Sequence, residues 1–276
     1  MATPGQVHLV VEDGIATLTL DRPSRRNALD GPMWERIGTR ATEAAGAGAR
    51  VLIVTGAGPH FCYGLDLNMD NPLVTQVAGT VMAGEAGRPQ GEDTIRMLKS
   101  WLAPIRAFPG LSIAAIEGVC IGGGLEVALH CDVRVAARTA WLSLPETRWG
   151  MVPDVGGSTL LTRLVGPGRA AMIAGSGRRY AAADAYGLGM VEMLCAPGGA
   201  LDAARELALD ALRCAPLATR LALGQIRSVP GREIDDCFAS ETAAGAQALA
   251  SGEVMEGMAA FAERRVPAWS PGTADG

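Results

Sequence analysis

The chain has 276 residues, with 24 Lys and Arg against 29 Asp and Glu, a net charge of −5 with its three histidines neutral. That mild acidity speaks against nucleic acid or an anionic membrane surface as a partner, because both reward a positive field. With 49% apolar and 19% charged residues the sequence can bury a large core, which excludes a disordered chain and suits one large domain or one domain with an appendage.

Met1-Ala-Thr-Pro-Gly lacks the charged, apolar and cleavage-site order of a secretory signal, so a cytoplasmic location is expected. Val7 to Leu20 alternates in character and turns at Asp13-Gly14, which predicts a β-hairpin. Asp30-Gly-Pro offers a helix start, with Met33, Ile37, Ala41 and Ala44 on one face. Arg50-Val-Leu-Ile-Val-Thr-Gly reads as a short buried strand. Residues 68–94 have weak periodicity and many Gly, Pro and Ala residues, and read as a mobile loop. From Ile95, apolar positions at Leu98, Leu102, Ile105 and Phe108 predict a helix stopped by Pro109-Gly110. Ser112 to Ile116 and Val133 to Ala137 are strand candidates flanking Gly122-Gly-Gly and a short helix. The long apolar stretch from Leu111 to Leu129 is broken by Glu117, Glu126 and its glycines, so it is not a membrane span.

Beyond Pro197 the pattern is helical to about Arg265. Mixed elements followed by helices alone predict an α/β core over residues 1–197 and a helical region over 198–276. The latter is Ala-rich and amphipathic with little core of its own, and is expected to pack on the core and on neighbouring subunits. The six cysteines form no CxxC pair and stand in apolar contexts, as buried reduced thiols do. His8, His60 and His130 are scattered, so neither a metal site nor a histidine-based triad is expected.

Three segments can carry chemistry. Gly56-Ala-Gly-Pro-His-Phe-Cys-Tyr-Gly-Leu-Asp-Leu67 is a glycine-rich turn after a buried strand. Glu117-Gly-Val-Cys-Ile-Gly-Gly-Gly-Leu-Glu-Val-Ala-Leu129 removes every Cβ where a helix begins, so a ligand oxygen can approach bare N–H groups. It has neither the Gly-Lys-Ser/Thr of a phosphate loop nor dinucleotide-site spacing. In Ala140 to Ser158, Glu146 and Asp154 stand among Trp141, Trp149, Met151 and Val152, an apolar setting that raises carboxyl pKa values. Ser158 does not make a GxSxG elbow. Taken singly, each segment also suits a plain structural role: a loop ending a strand, tight strand-to-helix packing, or a pair of surface carboxylates.

Together, in this order, with Asp21-Arg-Pro-Ser-Arg-Arg-Asn-Ala-Leu29 before them and Phe261-Ala-Glu-Arg-Arg-Val-Pro after, the segments resemble the crotonase family of enoyl-CoA hydratases and isomerases from Val7 to Trp269. The resemblance implies an α/β crotonase spiral of ββα units with an α-helical C-terminal trimerisation region. It also implies an acyl-CoA thioester substrate, no cofactor beyond the CoA of that substrate, no metal, and a homotrimer or dimer of trimers. It puts the oxyanion hole on the backbone N–H groups of Leu65 and Gly123. Glu126 and Glu146 match the catalytic glutamates of the hydratases. Glu126 lies in a first helical turn, where the dipole favours the charged form that deprotonates water, and Glu146 suits holding the proton delivered to C2. Arg25, Arg26, Ala28, Tyr63, Gly64, Asp66, Leu67 and Gly122 fall on CoA- and substrate-binding stretches. Arg264 and Arg265 are candidates to reach a CoA phosphate, of this or of a neighbouring subunit, and Tyr63 with residues 68–91 borders the acyl pocket.

Asp154 stands where simple hydratases have a small residue. It resembles the acid of the Δ3,5-Δ2,4-dienoyl-CoA isomerases, and also of the 3-hydroxyisobutyryl-CoA hydrolases, although the isomerases usually carry Asp at Glu126 and the hydrolases usually lack an acid there. The expected activity is syn addition of water to a trans-2-enoyl-CoA. The alternatives are dienoyl-CoA isomerisation through Glu146 and Asp154, and a non-catalytic acyl-CoA-binding protein.

Overall fold

The computed structural model describes residues 5–270. Asp13 (φ 49°) and Gly14 (φ 81°) both take left-handed backbone. They turn β1 (Gln6–Glu12) back on β2 (Ile15–Asp21), antiparallel, with Val7 opposite Leu20. Asp30 caps α1 (Gly31–Gly46), its Oδ1 accepting from the Met33 amide at 3.0 Å, with Pro32 in the first turn. The remaining strands are β3 (Val51–Gly56), β4 (Leu111–Ile116), β5 (Val119–Ile121), β6 (Val133–Ala137), β7 (Trp141–Ser143), β8 (Tyr180–Ala181) and β9 (Met193–Cys195). Between and after them come α2 (Pro72–Ala83), α3 (Arg88–Arg106), α4 (Gly123–Leu129), α5 (Gly157–Val165), α6 (Pro167–Ser176), α7 (Ala182–Leu188), α8 (Ala200–Leu212), α9 (Pro216–Ser228), α10 (Ile234–Ala250) and α11 (Glu253–Glu263).

One sheet runs β1-β2-β3-β4-β6-β9, parallel after the hairpin, and β5, β7 and β8 make a second, smaller sheet. Two units, β4-β5-α4 and β6-β7-α5, repeat one pattern: a strand in the large sheet, a strand in the small sheet, then a helix. This is the ββα spiral expected from the sequence. A parallel strand covered on both faces is apolar throughout. Leu52 and Val54 accordingly face the main core with Met33, Ile37, Leu102 and Ile105. Val51 and Ile53 meet Ala200, Ala204 and Ala208 of α8, whose small side chains at every fourth position let the helix lie close on the sheet. At Gly38 a Cβ would stand 2.1 Å from the Trp101 carbonyl oxygen, so α1 and α3 cross at a contact that only glycine permits.

The structure corrects the sequence reading between residues 68 and 94, which are largely helical rather than loop. Asn71 caps α2, its Oδ1 accepting from Leu73 N at 3.2 Å, with Pro72 in the first turn. Gln76 of α2 donates to Thr94 of α3 at 2.8 Å, and α3 starts at Arg88 rather than Ile95. The thiols also differ in part from expectation: none of the six cysteines is paired, but Cys214 is exposed and Cys195 half-buried. Arg227 ties α9 to the core through Asp132 and the Phe108 and Gly110 carbonyls, at 2.6–2.8 Å. Beyond it, α10 and α11 leave Phe238, Met258 and Phe261 uncovered, the last 88% exposed. Among the described residues, no helix is long and apolar enough to cross a membrane.

Candidate active site

One buried guanidinium arranges the chain after β2. Arg22 Nη1 donates to Asp66 Oδ2 at 2.5 Å and to the Ala28 carbonyl at 3.2 Å, and lies 3.8 Å from Asp30. Buried Asn27 donates to the Ala57 and His60 carbonyls and accepts from the Arg22 amide. These ties hold the loop after β2 against the loop after β3. There Leu29 N donates to the Gly64 carbonyl at 2.7 Å and Asp66 N to the Leu29 carbonyl at 2.9 Å. Gly64 (φ 80°) and Gly122 (φ 54°) adopt left-handed backbone, and the two bends meet. A Cβ on Gly64 would stand 3.1 Å from Gly123 N, and one on Gly123 would stand 3.6 Å from Leu65 N. Neither the Leu65 nor the Gly123 amide has an acceptor among the described residues. Gly123 opens α4, where N–H groups have no intrahelical partner. Two donors therefore stand side by side at the start of a buried helix.

The acids come from elements on either side. Glu126, buried in α4, accepts from Val155 N at 2.7 Å and Gly157 N at 2.9 Å, both on Oε1. A Cβ on Gly157 would stand 2.5 Å from Pro153 Cβ and 2.9 Å from that oxygen, so glycine lets the loop close on Glu126. Buried His130 sits behind this loop, its Nε2 3.1 Å from the Val155 carbonyl. Burial lowers the imidazole to about 4, so it is neutral and donates to that carbonyl. Glu146 follows β7, and its Oε1 would lie 3.1 Å from a Cβ on Gly122. Its Oε2 is buried with no hydrogen-bond partner among the described residues.

Burial pushes Glu126 up to about 8, helped by repulsion from Glu146 and Asp154 and opposed by the two amides. Burial likewise pushes Glu146 up to about 7, with repulsion from Asp154 adding to it. Asp154 is raised by burial and held back by Lys99. Burial is the first cause at both carboxyls, so each can hold a proton near neutral pH. Free Glu ionises near 4.5, so between that pH and about 8 the folded state binds more protons than the unfolded chain. The stability these acids contribute is full below about pH 4.5 and is lost as pH rises through about 7 and 8. Glu126→Gln keeps the acceptor for both amides but cannot charge. At about pH 9 it should melt a few degrees above wild type, and at about pH 4 the two should melt together. Parallel melting at both pH values would contradict the buried charge.

The thirteen residues that the sequence assigned to catalysis, the oxyanion hole and substrate binding line one cavity of about 840 Å³, and Arg264 and Arg265 are not among its lining residues. Arg26 stacks on Tyr63 at 4.8 Å and donates to its hydroxyl at 2.9 Å; Tyr63 adjoins Gly64 and the two amides; Glu146, Glu126 and Asp154 line the same cavity, as do Val77, Thr80 and Val81 of α2 and Thr94, Ile95 and Leu98 of α3. Three of the candidates already have partners. The Asp66 carboxyl is already engaged by Arg22 and Asn68, and although burial raises it, those bonds hold it below its ordinary value. It shapes the loop. The Ala28 carbonyl already accepts from Arg22, which leaves it one lone pair. Arg265 is pinned by Glu256 at 2.7 and 2.9 Å and by Glu263 at 2.6 Å, unavailable to a phosphate without breaking those pairs. Sequence reading gave Arg22 and His130 no role, and it saw Asn27 only within its motif. The buried polar side chains that hold these loops announce themselves only through their partners.

A family model for enoyl-CoA hydratase/isomerase matches residues 11–272. The chain belongs to that family. This enoyl-CoA hydratase/isomerase family member is 35% identical over 264 residues to the human enoyl-CoA hydratase domain-containing protein 2, mitochondrial, across 93% of this chain and 85% of the relative. Its fold superimposes on the crystal structure of enoyl-CoA hydratase from Bacillus anthracis with a TM-score of 0.84 at 31% identity, covering 95% and 97% of the two chains. A Thermobifida fusca protein solved in complex with CoA matches with a TM-score of 0.77 at 28% identity, over 88% and 93%.

Proposed function

We propose that this family member adds water to trans-2-enoyl-CoA thioesters. The observation that carries the reading is a pair of buried carboxyls, raised to about 8 and about 7, beside two adjacent main-chain amides without acceptors. The amides of Leu65 and Gly123 receive the thioester oxygen. Ionised Glu126, its Oε1 fixed by two N–H groups, takes a proton from water through the other oxygen. The hydroxyl forms its bond to C3 while the C2–C3 π electrons move toward C1, and the charge collects on the thioester oxygen at the amides. Protonated Glu146 gives its proton to C2 and the carbonyl re-forms. The water proton is left on Glu126 and returns to Glu146 for the next turnover. Placing the proton on Glu146 costs about 1.4 kcal/mol per pKa unit, so a difference of about one unit is no obstacle. Arg25 and Arg26 supply positive charge for the CoA phosphates. We further propose that the uncovered apolar faces of α10 and α11 pack between subunits of a trimer.

One observation favours isomerisation as a second reading: Asp154, also raised, is a third acid in the same cavity. The pH dependence of crotonyl-CoA hydration tests the leading reading. The acid–base pair titrates as a unit, so kcat/KM should form a narrow bell with its maximum between about 7 and about 8. A flat profile from about pH 5 to 9, or no hydration at any pH, would overturn it.

A further inference from the structure

The acyl end of the cavity is open, and its mouth is apolar. Val77 and Val81 of α2, Leu67 before it, and Trp149, Met151 and Val152 after Glu146 all line the cavity while remaining exposed. Val81 is 72%, Trp149 70% and Val152 62% exposed. Such side chains at a rim cost free energy in water unless something apolar lies over them.

The two threonine hydroxyls along this path are already satisfied. The Thr94 hydroxyl donates to the Gln90 carbonyl at 2.9 Å and accepts from Gln76 at 2.8 Å. The Thr80 hydroxyl donates to the Gln76 carbonyl at 3.3 Å. Their methyl groups are what remains to meet a ligand. On α3 the lining residues Gly91, Thr94, Ile95 and Leu98 fall on one helical face, a stripe about 10 Å long at 1.5 Å per residue. Glu126 and Asp154 line the same cavity as these exposed side chains, so the space beside the acids opens to solvent through an apolar mouth.

We infer that this path holds the alkyl tail of the substrate, and that the protein prefers medium- to long-chain enoyl thioesters over crotonyl-CoA. The inference rests on the hydratase reading for its kinetic form, though not for its binding form. Continuity decides the occupant: the acids that flank the enoyl group and this apolar mouth line one cavity, so whatever fills the mouth is attached to that group. Each methylene laid against the walls removes apolar surface from water, which is worth up to about fourfold in affinity, and less where one side stays wet.

The test measures binding and turnover on the full chain. Calorimetry gives Kd for saturated butyryl-, octanoyl-, dodecanoyl- and hexadecanoyl-CoA, and kinetics give kcat/KM for the matching enoyl thioesters, in wild type and in Val81→Asp. Affinity should rise by at least about tenfold from butyryl to dodecanoyl, and the ratio of kcat/KM for dodecenoyl- over crotonyl-CoA should fall toward one in Val81→Asp. Val10→Asp, an exposed change on β1 far from the cavity, should keep the wild-type ratio. Affinity independent of chain length overturns the inference even if crotonyl-CoA is hydrated. Rising affinity without hydration of any thioester upholds it and removes the hydratase reading instead. A change of oligomeric state in Val81→Asp, with chain-length dependence intact, makes the rim a subunit face and also overturns it.

Discussion

Glu126→Gln and Glu146→Gln each lower kcat for crotonyl-CoA hydration by about a thousandfold, with a much smaller effect on the KM. Glutamine keeps the shape of each side chain, and at position 126 it keeps an acceptor for the Val155 and Gly157 amides. What it removes is the exchangeable proton. Because water activation and protonation of C2 belong to one addition, the double variant should be little slower than either single one. Additive losses would mean that the two carboxyls act in separate steps. Asp154→Asn separates the two proposed chemistries. Under hydration it costs less than about tenfold, because Asp154 takes no proton in the addition. If it matches the loss in Glu146→Gln on a dienoyl thioester while leaving crotonyl hydration intact, isomerisation is the better account.

The second large effect falls on a residue with no side chain. In Gly64→Ala the new methyl group would stand 3.1 Å from Gly123 N and 2.8 Å from the Ile121 carbonyl, crowding the place where the thioester oxygen must sit. Loss of one such donor is worth about a hundredfold to a thousandfold in kcat. Backbone strain alone would also follow from alanine at φ 80°, so a matched control is needed. Gly58 has φ 72° in the same loop, and a Cβ there meets only Pro23, at 3.6 Å. Gly58→Ala should share the stability loss, about 1 kcal/mol, and keep its turnover. Equal kinetic losses in both variants would place the defect in the loop's conformation and not at the amides.

Much of this arrangement is legible in the sequence because it is local. Gly122-Gly-Gly before an apolar helix specifies a bare helix start, and Asp13-Gly14 specifies a hairpin, whatever the rest of the chain does. The helices over residues 72–94 were not legible for a physical reason. Only Leu73 of α2 is buried, so its apolar side chains face the cavity mouth and leave no core-facing period. The signals that were present, Asn71-Pro72 and the Arg88-Pro89 start, are caps rather than periodicity. The rise of the Glu126 carboxyl to about 8 was hidden because desolvation depends on the loop that closes over it, brought in from Val155 to Gly157. A helix dipole can be read from a sequence, but burial of one particular oxygen cannot. The short strands β5, β7, β8 and β9 have two or three residues each, too few for an alternating pattern to register.

The account stands on one chemical event, the transfer of a water molecule to the enoyl group between these two carboxyls. Crotonyl-CoA incubated with the wild-type protein in heavy-oxygen water, followed by mass spectrometry of the thioester, reads it directly. The predicted result is a hydroxyacyl-CoA carrying one labelled oxygen on C3, formed at a rate that collapses in Glu146→Gln. A thioester recovered unchanged in mass, or free CoA released with label in the acid, would contradict it.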